Sequence, residues 1–181
     1  MRIITGTARG RKIKEPAGWD IRPTTDRVKE AVFNIIQFDI EGRRVLDMFA
    51  GTGQLGIEAL SRGAASAVFV DRDQTAVKLV RENLKSTELE ANASVINGDG
   101  IEYLKRGGKF DLVFMDPPYD TDLLDRSILV ANEFDILKDN GIIVCESKAE
   151  KPMPELLAPY RKLREYRYGK IKITTYSKGA E

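Results

Sequence analysis

Histidine is absent from this sequence of 181 residues, and cysteine occurs once, as Cys145. Without an imidazole there can be no Ser-His-Asp triad, no histidine-liganded zinc and no histidine general base. A single cysteine rules out an internal disulfide and favours a reducing, cytoplasmic location. We therefore predict no metal site, and we expect any chemistry to depend on carboxylates, tyrosine, backbone groups or a cofactor that arrives already activated.

Long apolar runs are also missing. No stretch has the length that a transmembrane helix needs, and the basic start of the chain is not followed by the apolar segment of a signal peptide. A composition of 42% hydrophobic and 31% charged residues is typical of a globular chain. We expect no association with a membrane.

The net charge of +1 conceals an uneven distribution along the chain. Residues 1–44 carry a net charge of +4 and residues 160–181 a net charge of +5, whereas residues 45–159 carry −8. Basic ends around an acidic centre are consistent with an anionic partner that is bound through the termini. Solvated surface charge explains the pattern equally well, so charge alone leaves both interpretations open.

Short apolar runs alternate with amphipathic stretches through the centre of the chain. Near-continuous apolar runs predict five strands, at residues 45–49, 67–70, 93–96, 112–115 and 141–145. The stretches between them predict helices, and Asp73 is placed to cap the helix after the second strand. This alternation predicts a parallel sheet that is covered by helices on both faces.

The two ends of the chain follow other patterns. Residues 2–15 predict a small hairpin with little core-forming content. Residues 25–38 have the apolar spacing of an amphipathic helix. Residues 162–168 and 170–176, on either side of Gly169, predict an antiparallel hairpin at the edge of the sheet.

A glycine-rich loop follows the first predicted strand. Gly51, Gly53 and Gly56 form the pattern G-x-G-x-x-G, which permits a tight turn and close approach of the backbone to a ligand. The pattern alone fits a simple turn, or a dinucleotide site in which Asp71 binds the ribose. Asp47 at the entrance of the loop would repel a pyrophosphate and attract a cation. These residues therefore favour S-adenosylmethionine, which carries a sulfonium and an ammonium group and no phosphate.

A third acid, Asp99, follows the third predicted strand and is placed to accept from the amino group of an adenine. Each of these acids, taken alone, fits a helix cap as well as a ligand contact. Their shared position at successive strand ends favours the ligand contact, because parallel sheets bind ligands at that edge.

Asp116-Pro117-Pro118-Tyr119 follows the fourth predicted strand directly. Consecutive prolines fix φ and remove two backbone donors, so they leave a stiff loop of acceptors. The Asp116 side chain and the Pro117 carbonyl can then accept from one exocyclic amino group, which makes its nitrogen a better nucleophile. Tyr119 offers a ring on which a base can stack. A rigid turn is the alternative, but the pattern favours a catalytic loop that methylates the amino group of a nucleic-acid base.

The residues 47–53 and 116–119 resemble the cofactor and catalytic motifs of amino-methyltransferases. Residues 4–13 and 22–34 narrow the resemblance to the bacterial small-subunit ribosomal RNA guanine-N2 methyltransferases of the RsmD type, and the likeness covers nearly the whole chain. The resemblance implies an α/β fold: a Rossmann-like methyltransferase sheet of seven mostly parallel strands with an antiparallel C-terminal hairpin. It also implies one domain, 1–181, in which residues 1–20 form a β-hairpin extension of a catalytic core, 21–181.

The same resemblance implies a set of roles and partners. The substrate is a guanine of 16S ribosomal RNA on small-subunit particles, the cofactor is S-adenosylmethionine, and a monomer suffices. The catalytic residues are Asp116, Pro117 and Tyr119. The cofactor-binding residues are Asp47, Phe49, Gly51, Gly53, Asp71 and Asp99. The resemblance also makes Arg22, Thr24, Thr25 and Arg27 candidates for binding RNA, although a helix start with a threonine cap explains residues 22–25 equally well. Apart from the resemblance, the basic residues of the two hairpins are plausible phosphate contacts: Arg9, Arg11, Lys12, Lys14, Lys170 and Lys172.

Three other functions fit part of the sequence. Asp-Pro-Pro-Tyr would serve an adenine-N6 DNA methyltransferase equally well, although little of the chain is left for a separate DNA-reading domain. An NAD-dependent oxidoreductase would explain the glycine loop and leave residues 116–119 unexplained. A non-catalytic RNA-binding protein would have no use for an intact Asp116.

Overall fold

The computed structural model of the protein describes residues 1–16, 26–106 and 108–179. The strands in these ranges are β1 (Arg44–Met48), β2 (Ser66–Asp71), β3 (Ala93–Asn97), β4 (Phe110–Met115), β5 (Leu137–Lys148), β6 (Tyr160–Tyr168) and β7 (Ile171–Lys178). The helices are α1 (Asp26–Ile35), α2 (Gln54–Ser61), α3 (Gln74–Thr87), α4 (Gly100–Lys105) and α5 (Leu123–Glu133), with a 3₁₀ turn at Glu90–Asn92.

The seven strands form one sheet in the order β3-β2-β1-β4-β5-β7-β6. The first five strands in this order are parallel, and β7 is antiparallel to both β5 and β6. The predicted mostly parallel sheet with an antiparallel hairpin is therefore confirmed. The direction of winding reverses between β1 and β4, so a crevice is expected at the carboxyl ends of these two strands.

Helices cover both faces of the sheet. On one face, apolar side chains of α1, α2 and α3 pack against the sheet, and the rings of Phe33 and Phe114 lie 5.8 Å apart. On the other face, Leu104 of α4 and Ile128 of α5 pack against Leu46 and Val113. The predicted two-faced burial explains why the central strands are apolar at nearly every position.

The N-terminal segment, residues 1–16, turns back on itself and has one antiparallel bridge, between Arg2 and Lys12. Ile3, Ala8 and Ile13 are almost completely buried and belong to the core. The prediction that this hairpin contributes little to the core is therefore wrong. Apolar residues that stand alone in a polar stretch become core residues here because the whole segment packs onto α2.

Glu58 of α2 holds this segment in place. Its buried carboxylate accepts from the backbone amides of Ile4 and Thr5, at 2.8 and 3.0 Å, and from Arg62 Nε at 2.8 Å. The buried Lys29 ammonium lies 3.5 Å from the same carboxylate, and burial lowers the pKa of Lys29. Buried charges are tolerated when they are paired and hydrogen-bonded, so this cluster fixes the segment on α2.

Two elements differ in length from the prediction. β5 extends on both sides of the predicted residues 141–145, because the exposed polar residues 138–140 interrupt its apolar pattern. α1 ends at Ile35, before the predicted end at residue 38, and the ring of Phe38 is exposed. The predicted cap is confirmed, since the Asp73 carboxylate accepts from the Thr75 amide at 2.8 Å.

None of the helices in the described ranges combines the length and the apolar character that crossing a bilayer requires.

Candidate active site

A cavity of about 620 Å³ opens at the carboxyl edge of the sheet. Open parallel sheets bind ligands at this edge, and the volume is that of a small-molecule site. The loops after β1, β2, β3 and β4 form most of its walls, together with the end of β5. Glu15 and Pro16 extend the N-terminal segment to the same cavity.

The loop between β1 and α2 supplies one wall, through Phe49 and Gly51. Their φ values are 65° and 56°, a region that glycine adopts readily and phenylalanine rarely. Strain of this kind concentrates at ligand-binding sites. Gly53, the next glycine of the loop, does not line the cavity. A Cβ atom on Gly56 would lie 2.3 Å from the Phe69 ring, so the last glycine allows α2 to pack closely on β2.

Asp47 lies beneath the loop and not on the cavity wall. Its buried carboxylate accepts from the Gly56 amide at 2.9 Å, near the start of α2. Burial raises the pKa of Asp47 to about 7; the Gly56 hydrogen bond opposes this rise and the charge of Asp71 adds to it. The hydrogen bond from Gly56 to Asp47 stabilises the glycine loop. A direct contact between Asp47 and the cofactor stays a prediction.

Asp71 and Asp99 both line the cavity. The two carboxylate oxygens of Asp71 accept from the amides of Gly51 and Asp73, each at 2.9 Å, so this side chain ties the glycine loop to the end of β2. Asp99 caps α4 by accepting from the Glu102 amide at 3.0 Å. A helix cap and a place on the cavity wall, which the sequence left as alternatives, therefore occur together at Asp99.

The structure brings the predicted catalytic residues to the opposite wall. Asp116 and Tyr119 are half-buried, Pro117 is buried, and all three line the cavity. They lie at the end of β4, next to β1 in the sheet, so the Asp116–Tyr119 loop and the glycine loop face one space. This arrangement can hold a planar base against Tyr119 while acceptors point at its edge.

Glu146 is a residue of the cavity that the sequence patterns did not identify. This residue of β5 is buried, lines the cavity and accepts a hydrogen bond from the Tyr119 hydroxyl. The sequence did contain a signal for Glu146: it is an acid that directly follows the apolar run 141–145, and the same pattern identified Asp116. Because the predicted strand was ended at Cys145, its terminal acid was not considered.

Carboxylates dominate the cavity. Among the described residues that line it, seven carry a carboxylate and one, Arg72, carries a cationic side chain. Such walls disfavour the pyrophosphate of a dinucleotide and favour a cationic ligand. The residues present therefore fit S-adenosylmethionine and argue against the NAD interpretation.

The predicted RNA contacts are scattered. Arg22, Thr24 and Thr25 fall outside the described residues. Arg27 is exposed in the first turn of α1, and Lys12 is exposed on the N-terminal segment, away from the cavity wall.

The remaining basic candidates differ in their partners. Arg11 binds the Glu88 carboxylate at 2.9 Å, at the surface. Lys172 is buried, donates to the carbonyl of Lys151 and pairs with Glu165 at 3.3 Å, so the prediction that Lys172 contacts phosphate is wrong. A lysine in an apolar strand looks exposed from sequence when its carbonyl partner lies in a distant loop.

Known proteins resemble the chain along nearly its whole length. A family model described as conserved hypothetical protein 95 matches residues 1–177. The chain is 42% identical to YlbH of Bacillus subtilis, over 98% of the chain and 99% of that protein. It is 37% identical to the ribosomal RNA small subunit methyltransferase D of Escherichia coli, over 100% of the chain and 91% of that protein. The solved structure of yhhF from Escherichia coli has a TM-score of 0.89 at 37% identity, and the match covers 100% of this chain and 99% of that one.

Proposed function

The chain belongs to the family described as conserved hypothetical protein 95, and from that premise we propose that it methylates the exocyclic N2 amino group of a guanine in 16S ribosomal RNA, with S-adenosylmethionine as donor. One observation carries the proposal: the Asp116–Tyr119 loop and the glycine loop line the same carboxylate-rich cavity. The name of the Escherichia coli relative supports ribosomal RNA of the small subunit as the substrate.

The cofactor is held by the walls after β1, β2 and β3. In the proposal, Asp71 accepts from the ribose hydroxyls, Asp99 accepts from the adenine amino group, and Phe49 and Gly51 border the amino-acid part. Asp47 and Gly53 keep this loop in shape from behind. When bound, S-adenosylmethionine supplies an activated methyl group on its sulfonium sulfur.

The catalytic loop holds the base. The Asp116 carboxylate and the Pro117 carbonyl accept from the two hydrogens of the amino group, which directs the nitrogen lone pair out of conjugation with the ring. Stacking on Tyr119 contributes about 1–3 kcal/mol. As the N–C bond forms, the bond between sulfur and the methyl group breaks and S-adenosylhomocysteine leaves as a neutral thioether. The nitrogen becomes more acidic in this step, so its proton passes to Asp116 or to water and no histidine is needed.

The RNA is the larger part of the substrate. A base in a loop of ribosomal RNA is already splayed, whereas a base in a duplex must first be flipped out. We propose that the monomeric chain, as one domain in the cytoplasm, docks on small-subunit particles. Residues 1–20 are the N-terminal extension of this domain, and the cations and hydroxyls at the contact surface include those of Arg11, Lys12, Arg22, Thr24, Thr25 and Arg27.

A methyl-transfer assay tests the proposal. Labelled S-adenosylmethionine is offered with unmodified small ribosomal subunits, naked ribosomal RNA or duplex DNA, and the product is digested to nucleosides. We expect N2-methylguanosine from the ribosomal substrate. N6-methyladenine from DNA would replace the proposal with the adenine alternative, and cofactor binding without transfer to any substrate would favour a binding protein.

A further inference from the structure

Among the described carboxylates of the cavity that the proposed chemistry does not use, Glu146 is the buried one. It is 7% exposed, lies in β5 beside the antiparallel strand β7, and accepts a hydrogen bond from the Tyr119 hydroxyl. Burying a carboxylate is costly unless the site gives it donors. A buried acid whose surface forms part of a ligand cavity is therefore a candidate for contact with the ligand.

The register of the sheet places this acid beside the catalytic loop. Met115 of β4 is paired in parallel with Cys145 of β5, so the next residues of the two strands are Asp116 and Glu146. Neighbouring strands lie about 4.8 Å apart. Two carboxylates thus stand side by side on the cavity wall, with the Tyr119 hydroxyl bound to the second of them.

Guanine and adenine differ in what lies next to their amino group. In guanine the N2 amino group is followed by N1–H, so three donor hydrogens stand in a row on one edge. In adenine the N6 amino group is followed by an unprotonated N1, which is an acceptor. An ionised carboxylate can only accept, and its two oxygens offer about four acceptor sites. It therefore suits the guanine edge and repels the adenine edge.

We propose that Glu146 selects guanine by accepting a hydrogen bond from N1–H while Asp116 and Pro117 hold the adjacent amino group. The inference rests on the proposed guanine-N2 function and names the residue that excludes adenine from the same loop. The Tyr119 hydroxyl donates to the same carboxylate, so the selecting acid and the stacking ring are neighbours in the site. Buried polar groups that lose their partner discriminate strongly, because the wrong base leaves them unsatisfied.

The test pairs a change in the enzyme with a change in the base. Small subunits are reconstituted with ribosomal RNA that carries either guanine or 2-aminopurine at the methylated position, as located in the wild-type product. 2-Aminopurine keeps the amino group at C2 and lacks O6 and the N1 hydrogen. Single-turnover methyl transfer is measured for the wild type and for Glu146→Gln, whose amide can donate to an unprotonated N1.

We expect the wild type to prefer guanine by roughly 10- to 100-fold, the range of one good hydrogen-bonded base contact. Glu146→Gln should bring this ratio near one or reverse it, through a loss on guanine and a gain on 2-aminopurine. The change in this rate ratio between wild type and Glu146→Gln completes a double-mutant cycle. Contributions from O6 that do not involve Glu146 therefore cancel. Tyr119→Phe is the matched control, because it removes the hydroxyl and keeps the Glu146 carboxylate. This variant should still prefer guanine, whatever its rate of methyl transfer.

An equal loss on both bases, including a complete loss in a folded variant, would overturn the inference and leave Glu146 as a support for Tyr119. If circular dichroism shows Glu146→Gln to be unfolded, Glu146→Ala takes its place, and its ratio should fall towards one. The proposed function fails separately, if the wild type itself makes no N2-methylguanosine.

Discussion

Asp116 leaves β4 directly after Met115, half-buried on the cavity wall, and the proposed chemistry assigns it the amino group of the base. Asp116→Ala should lower the rate of methyl transfer at least about 100-fold, the lower range for a positioned acid or base. Cofactor affinity should stay unchanged, because the walls after β1, β2 and β3 are intact. Single-turnover transfer and calorimetric titration with S-adenosylmethionine measure the two quantities.

Asp122→Ala is the matched control for this experiment. Asp122 is an exposed acid just before α5, within 3.8 Å of Arg126 and away from the cavity wall, so its removal should leave both quantities unchanged. A large loss of cofactor affinity in Asp116→Ala would instead assign Asp116 to the cofactor.

Asp47 predicts a dependence of stability on pH. Burial raises its pKa from 3.8 to about 7, so between these values the folded chain binds a proton that the unfolded chain releases. The contribution of Asp47 to the free energy of unfolding should therefore decrease as the pH rises through this window. Asp47→Asn cannot titrate and its amide oxygen can still accept from Gly56, so relative to wild type the variant should gain stability with pH. A shift of this size corresponds to at most roughly 4 kcal/mol.

Urea unfolding of both proteins without cofactor, at intervals from pH 4 to pH 8, measures this difference. The two curves should converge towards pH 4 and separate towards pH 8. Parallel curves would mean that the carboxylate is ionised throughout and that water or another donor reaches it.

At the level of elements, α3 connects the N-terminal segment to the glycine loop through one side chain. The amide of Asn83, fully buried, donates to the carbonyls of Lys14 and Thr52, at 3.1 and 2.9 Å, and accepts from the Lys14 amide at 2.8 Å. Asn83→Leu keeps the volume and leaves these backbone groups without their partner. Each buried group left unsatisfied costs about 1–3 kcal/mol, so the loss of three partners should lower the free energy of unfolding by at least roughly 3 kcal/mol.

The loss of stability in Asn83→Leu should also be detectable near Lys14 and Thr52. Hydrogen exchange of the Lys14 amide should become faster in Asn83→Leu, and cofactor affinity should fall because Thr52 belongs to the loop that borders the cavity. Ser86→Ala, an exposed position of the same helix whose hydroxyl bonds within the helix, serves as control. Unchanged exchange at Lys14 would show that the other contacts of the segment, among them those with Glu58 and Ser61, are sufficient to anchor it.

These elements also show what the sequence could and could not predict. The central strands were predictable because burial on both faces makes them apolar throughout. The cap at Asp73 was predictable because a capping residue bonds to the helix that directly follows it. The length of β5 was not predictable, since the polar residues 138–140 are tolerated only by pairing with neighbours far away in the chain. The loops after β1 and β4 were expected at one edge of the sheet, and the structure brings them to one cavity, whereas the position of Asp47 at a strand end did not reveal that its carboxylate accepts from the Gly56 amide. Glu146 became visible only through its register beside Asp116.

On the scale of the whole molecule, the uneven charge along the chain corresponds to different parts of the fold. The acidic centre of the chain supplies most carboxylates of the cavity, and cations from the two basic ends lie on the N-terminal segment and on the β6–β7 hairpin. Arg11 and Lys14 of the segment are paired with Glu88 and Glu82, at 2.9 and 3.2 Å. The hairpin turns at the carboxyl edge, where Ile171 is paired with Lys148.

Arg167 and Lys170 beside this turn are exposed and form no ion pair with any residue in the described part of the chain. Cations without a protein partner gain most from a phosphate, because no existing pair must be broken. The double variant Arg167→Gln and Lys170→Gln should therefore weaken docking on small subunits more than Arg11→Gln and Lys12→Gln. Each lost phosphate contact reduces the slope of log affinity against log salt by roughly one.

Methyl transfer to small subunits, measured as kcat/KM over a series of salt concentrations, compares the two double variants. The hairpin variant should lower kcat/KM at low salt and flatten its salt dependence by roughly two, with cofactor affinity unchanged, because electrostatic contacts to phosphate act on docking and not on the cavity. The reverse order of effects would place the RNA along the N-terminal segment, where a polyanion would have to displace Glu88 from Arg11. An unchanged slope in both variants would mean that ribosomal particles are recognised through contacts other than phosphate, and the basic ends would then be solvated surface charge.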